Sequence, residues 1–227
     1  MKFTPACGVS PNSKLGRLTL IIAFLLCLTH CAPTPPKPQV DDAEHQRQRL
    51  AQLHDWQLQG KLGIRLPDDN GSARLSWRQS KTDVNLSLSG PLGRGRIVIE
   101  GNAQQVSLKQ AGEPELVARD VESLLYQATG WQLPVSLLSD WVKGIPAPDT
   151  PRTELTYTPE GLLSSFEQSG WRLSFKRHQW VDGFVLPGYV RADKIQTEQA
   201  PIGNDSADTQ MDVRLVLSIH QWNPGLD

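Results

Sequence analysis

Among the residues able to do chemistry, Cys31 stands in the most informative setting. Lys2, Lys14 and Arg17 precede an apolar run from Leu18 to Leu28, 11 residues long and interrupted only by Thr19. That length suits the apolar core of an export signal and falls short of the roughly 20 residues a membrane span needs. Leu28-Thr29-His30-Cys31-Ala32 follows at once, with leucine three residues before cysteine, the arrangement of a bacterial lipoprotein signal. The chemistry this permits is attachment of diacylglycerol to the Cys31 thiol and of a fatty acid such as palmitate to the amine freed by cleavage. His30 stands where that pattern prefers Gly, Ala or Ser, and Cys27 is the poorer alternative because Phe24, Leu25 and Leu26 precede it. Cleavage before Cys31 removes Cys7 and Cys27, so the mature chain has no second thiol with which to form a disulfide. Two or three acyl chains anchor stably where one binds marginally. Ala32, in place of an Asp that would retain such a protein on the inner membrane, points to the outer membrane.

The other reactive residue types do not assemble into a motif. His45, His54, His178 and His220 are scattered, without ligand spacing or cysteine partners, so no metal is expected. No Gly-x-x-x-x-Gly-Lys-Ser/Thr loop is present, and Gly93-Arg94-Gly95 runs into a strand pattern, which denies a phosphate the helix N-terminus it would need. The serines lack a Gly-x-Ser-x-Gly elbow. No cofactor and no catalysis are expected. A net charge of −1 over 227 residues, with only short basic pairs such as Arg94 and Arg96 or Lys176-Arg177, argues against nucleic acid.

The positioning elements follow in chain order. Residues 1–30 read as the signal, 31–41 as a proline-rich tether and 42–227 as a single domain. Asp42 to His54 predicts a short amphipathic helix whose weak Leu50/Leu53 stripe implies edge packing. Trp56, Leu58, Gly60, Leu62, Ile64 and Leu66 alternate with polar residues, as do Ala73, Leu75 and Trp77 and then Val84, Leu86 and Leu88, the period of strands with one buried face. Further strands are predicted at 96–100, 105–109 and 115–118. Asp120 then caps a helix ending at Gly130, and Pro134 to Lys143 predicts a second with Leu137, Leu138 and Trp141 on one face. Five more strands follow, at 155–157, 163–168, 171–175, 185–195 and 212–221, with a polar excursion at Gln196 to Gln210. The fold class is α+β, mostly antiparallel, with about eleven strands and two or three helices.

Between the third and fourth strands, Ser89-Gly90-Pro91-Leu92-Gly93 turns sharply while carrying one large apolar side chain. Taken alone, the turn favours Leu92 folding back as a plug at the mouth of the sheet. The 7 tryptophans are ordinary core by default. A curved sheet capped by helices could also enclose a cavity lined by some of them.

Several pieces together resemble the LolB family of outer-membrane lipoproteins. They are the signal at Cys31, the Trp56 to Ile64 strand, Ala73-Arg74-Leu75-Ser76-Trp77, Gly90-Pro91-Leu92-Gly93, Leu133-Pro134-Val135, Trp141-Val142-Lys143-Gly144-Ile145-Pro146 and Leu186-Pro187. The Gln196 to Gln210 segment is longer than the tight hairpin expected of the family. The resemblance implies a half-open barrel lidded by helices around an apolar cavity, with Trp56, Leu75, Trp77, Leu86 and Trp141 as candidate lining. It implies a monomer that takes acylated lipoprotein cargo from a LolA-like periplasmic carrier and inserts it among outer-membrane lipids without nucleotide hydrolysis. It also implies that the loop Gly90, Pro91, Leu92 and Gly93 presents Leu92 to the bilayer. The alternatives are an anchored envelope module with a solid core and a periplasmic carrier of small hydrophobic ligands.

Overall fold

The computed structural model describes residues 43–67, 70–90, 95–130, 132–195 and 213–225. The signal, Cys31, the tether, the loop residues Pro91, Leu92 and Gly93, and the Gln196 to Gln210 segment lie outside the described residues.

The short helix α1 (Ala43–Ala51) opens the described chain. Six strands follow, β1 (Asp55–Arg65), β2 (Asn70–Ser80), β3 (Asp83–Ser89), β4 (Ile97–Gly101), β5 (Val106–Gln110) and β6 (Leu116–Ala118). Helices α2 (Val121–Thr129) and α3 (Val135–Trp141) come next. The chain closes with β7 (Arg152–Tyr157), β8 (Leu163–Gln168), β9 (Trp171–Lys176), β10 (Gln179–Val181), β11 (Phe184–Leu186), β12 (Tyr189–Lys194) and β13 (Arg214–Pro224). Eleven of these strands form one antiparallel sheet in the order β6-β5-β4-β3-β2-β1-β13-β12-β9-β8-β7. Its edges, β6 and β7, do not pair with each other, so the sheet curls without closing. This is the α+β, mostly antiparallel class expected from the alternation, in the half-open form that the family resemblance implies.

Register explains the core. Leu116, Leu108, Ile99, Leu86, Trp77, Leu58 and Trp222 are successive cross-strand partners, a single apolar row running over seven strands. On β8 and β9, Phe166 and Phe175 stack with ring centroids 5.6 Å apart. Leu124 of α2, and Val135, Leu138 and Trp141 of α3, are buried in the same cluster. Local chemistry fixes α2: the Asp120 carboxylate accepts the Ser123 backbone N–H at 2.7 Å, and Gly130 ends the helix at φ 75° with its N–H on the Tyr126 carbonyl.

Three expectations needed correction. The stretch 185–195 is two strands, because Pro187 has no N–H to donate and Gly188 approaches the Arg177 backbone. Phe184–Leu186 instead pairs with Gln179–Val181 as a separate hairpin. Helix α3 is shorter than Pro134 to Lys143 and leaves Leu137 only half-buried. Helix α1 does more than pack at an edge: Gln46 and Leu50 are buried, and the Arg49 guanidinium sits 4.7 Å from the Phe184 ring centroid.

Gly60 marks a register shift between β1 and β13, and a Cβ there would lie 2.4 Å from the Ser218 carbonyl oxygen. At Gly63 on the same strand the nearest atom to an added Cβ is 3.8 Å away. Gly60→Ala should therefore cost about 2 kcal/mol of stability in urea unfolding followed by tryptophan emission. Gly63→Ala should be neutral or stabilise by up to about 1 kcal/mol. Equal effects at the two positions would contradict the close approach at Gly60.

Candidate functional site

The inner face changes character along the strands. Trp56, Leu58, Trp77, Leu86 and Ile99 are buried, whereas Leu62, Ile64, Leu88 and Ile97, nearer the end from which the β3–β4 loop leaves, are only partly covered. Leu88 and Ile97 are cross-strand partners at the foot of that loop. The apolar face is thus filled at one end and ends in a half-exposed apolar rim at the other. Gly90 is the last described residue before the loop, and Gly95, at φ 61° with open space around it, is where the chain re-enters.

All five residues expected to line a cavity point to this inner face and belong to one buried cluster. The Trp56 ring lies 5.1 Å from that of Trp77 and 5.7 Å from that of Trp222. Leu86 is the cross-strand partner of Trp77, and Leu75 sits one row nearer the loop. Trp141 reaches the cluster from α3 and is 0% exposed. The side chains themselves occupy the space between sheet and helices. Trp180 is the exception among the described tryptophans, lying exposed on β10.

Two buried polar residues, to which no role was assigned from sequence, hold the cover in place. Gln168, 2% exposed, accepts the Trp141 indole N–H at 2.8 Å and the Ala147 backbone N–H at 2.9 Å. Its amide nitrogen donates to the carbonyls of Ala147 and Thr150. One side chain of β8 thereby ties both α3 and the 144–151 connector to the sheet. Lys143, 4% exposed, pairs with Asp140 at 3.0 Å and donates to the Leu53 carbonyl, joining the end of α3 to the end of α1. Gln168 shares the alternation phase of Phe166, a signal that was available in the sequence.

Charge is settled locally elsewhere. Burial alone would raise the Asp193 carboxyl, but hydrogen bonds from Arg191 and Arg214 and their charges outweigh it and hold it below the usual range. Burial lowers the His178 imidazole, against the opposing charge of Glu160. Among the described residues no cluster of His, Cys, Asp and Glu could hold a metal ion, and no helix is long and apolar enough to cross a membrane.

The family model for outer membrane lipoprotein LolB matches residues 54–222, which is the sheet with its helical cover. The chain belongs to the LolB family. LolB of Cellvibrio japonicus is 38% identical over 92% of this chain and 98% of its own length. LolB of Pseudomonas aeruginosa strain PAO1 is 39% identical over 92% and 96%, and that of Stutzerimonas stutzeri 37% over 88% and 91%. Like these LolB relatives, the chain is an outer-membrane lipoprotein. Among solved structures, a LolA superfamily protein from Nitrosomonas europaea has a TM-score of 0.45 at 8% identity, covering 82% of this chain and 94% of that one.

Gln168→Leu would leave the Trp141 indole and the Ala147 amide buried without partners, and should destabilise by about 3 kcal/mol in urea unfolding, since each orphaned group costs about 1–3 kcal/mol. A change below about 0.5 kcal/mol would show that the amide does not tie the cover down. For His178 the folded pKa lies below the unfolded value of about 6.5, so the unfolded chain takes up the proton first as pH falls. Stability should therefore drop from neutral pH down through that window, and less so in His178→Gln, when unfolding midpoints are compared between about pH 7.5 and about pH 5.5. The same drop in both proteins would contradict this origin.

Proposed function

We propose that this protein receives acylated lipoproteins from a LolA-like periplasmic carrier on its inner apolar face and inserts them into the outer membrane. The observation that supports the reading is the graded inner face, packed at the tryptophan end and open as an apolar rim at the foot of the Gly90–Gly93 loop. An acyl chain loses about 0.8 kcal/mol per methylene on entering water, so carrying three through the periplasm unshielded would cost on the order of tens of kcal/mol. Cargo must pass between sheltered apolar surfaces, entering at the rim and parting α2 and α3 from the sheet as it advances. Direction comes from rising affinity, from carrier to this face to bilayer, and needs neither nucleotide nor covalent catalysis. Cys31, acylated as the first mature residue, anchors the domain through the proline-rich tether so that it faces the periplasm as a monomer.

In this reading Leu92 is held outward by Gly90, Pro91 and Gly93 and touches the bilayer during release. The filled interior favours a second reading, an anchored module with a solid core. Leu92→Glu separates the roles. Uptake of lipoprotein from the carrier should be unchanged, while insertion into liposomes should fall by about tenfold or more, the cost of placing a carboxylate at the lipid surface. Normal insertion by this variant would remove the loop from the mechanism, and failure of the parent protein to take up any cargo would favour the solid module.

A further inference from the structure

The outer face of the sheet carries a cationic row that the fold does not need. Lys61 and Arg74 face each other directly across β1 and β2, a like-charge pairing that weakens a sheet. The same cross-strand row continues from Ser89 through Arg74, Lys61, Ser218 and Tyr189 to Lys176. The Arg177 guanidinium stands 5.1 Å over the Tyr189 ring and its nitrogen lies 3.4 Å from the Ser218 hydroxyl, adding a fourth cation. Neither Lys61 nor Arg74 makes an ion pair among the described residues. On the same sheet face Asp193 is engaged by Arg191 and Arg214 and Glu167 by Arg172.

Above Lys61 and Arg74 lies a groove of about 600 Å³ whose lining includes the hydroxyls of Ser76, Ser87 and Ser89, with Gly90 at its end and no acidic residue. Arg96 donates to the Ser87 hydroxyl beside it. Two unpaired cations among hydroxyl donors suit a phosphate oxyanion. From Arg74 to Lys176 the row spans about 19 Å at about 4.8 Å per strand, which matches an array of anions on a surface better than one small ion. The groove ends at the first residue of the Gly90–Gly93 loop, at the open end of the sheet.

We propose that this groove and the basic row beside it bind the phosphates of anionic phospholipid headgroups, laying the loop end of the outer sheet face against the membrane surface. The interaction orients the domain before any cargo arrives, so it is measured without cargo and its failure is distinct from failure of the transfer reading. The full-length protein is reconstituted in vesicles of phosphatidylcholine, alone or with phosphatidylglycerol, and the lysines are labelled with an amine-reactive ester and read by mass spectrometry. Lys61 should be protected about fivefold by phosphatidylglycerol, the scale expected for one basic residue at an anionic surface. Protection should vanish at about 1 M salt, where the screening length is about 3 Å. Lys81, exposed in the β2–β3 turn, should label equally in all samples and so report an intact fold. Arg74→Gln and Lys176→Gln should each lose most of the Lys61 protection, whereas Arg78→Gln, on the same face opposite Gln57 and Asn85, should keep it. Equal Lys61 labelling with and without phosphatidylglycerol would overturn the proposal. So would equal protection by inorganic phosphate alone, which marks a small-anion site, or protection only by an acidic soluble protein, which marks a protein-docking face.

Discussion

The buried amide of Gln168 is the interaction on which the rest of the arrangement depends. An eleven-stranded sheet that does not close presents one continuous apolar face, and that face must be covered without a strand ladder to hold the cover. Helices α2 and α3 supply the cover, but their apolar contacts with the sheet are non-directional and would tolerate sliding. The four hydrogen bonds of Gln168 give the contact a fixed geometry, seating the Trp141 indole and the following connector against β8. Lys143 does the same for the junction with α1. Beyond these few polar ties the cover is held to the sheet by apolar packing.

The two faces of the sheet divide the work through the simple period of the strand. On β1 and β2, the alternation that sends Leu58 and Trp77 inward sends Lys61 and Arg74 outward, so an apolar interior and a basic exterior reach the same loop end. The apolar rim of Leu62, Ile64, Leu88 and Ile97 and the hydroxyl-lined groove ending at Gly90 therefore meet at one place. The proposed transfer needs that placement, an apolar rim beside a basic outer face.

Much of this was legible in the sequence because its determinants are local. Alternation in β1 to β5 fixed which residues face inward, and the Asp120 cap with the Gly130 terminus fixed α2, since both are made by side chains and backbone within one helix. The β10–β11 hairpin was not legible: each strand has three residues, too few for a period, and the exposed Trp180 sits in the middle of one. Gln168 was overlooked because its type reads as solvent-facing, although its phase with Phe166 turns it inward. The Lys61–Arg74 pairing needed the register, which no single strand encodes. Trp56, Trp77 and Trp141 lie in the buried cluster on the inner face, and whether that face is filled depends on how the helices settle over it, which no strand period encodes.

The central claim is that acyl chains ride on the inner face and enter at the rim. A lipoprotein bearing a photoreactive group on an acyl chain, loaded onto the full-length protein and irradiated before release, tests it directly. Crosslinks mapped by mass spectrometry should fall on Leu62, Leu88 and Ile97, and on inward residues deeper in the sheet as loading proceeds. Crosslinks confined to outward residues such as Ser76 and Ser87, or to the helix surfaces facing solvent, would contradict the account.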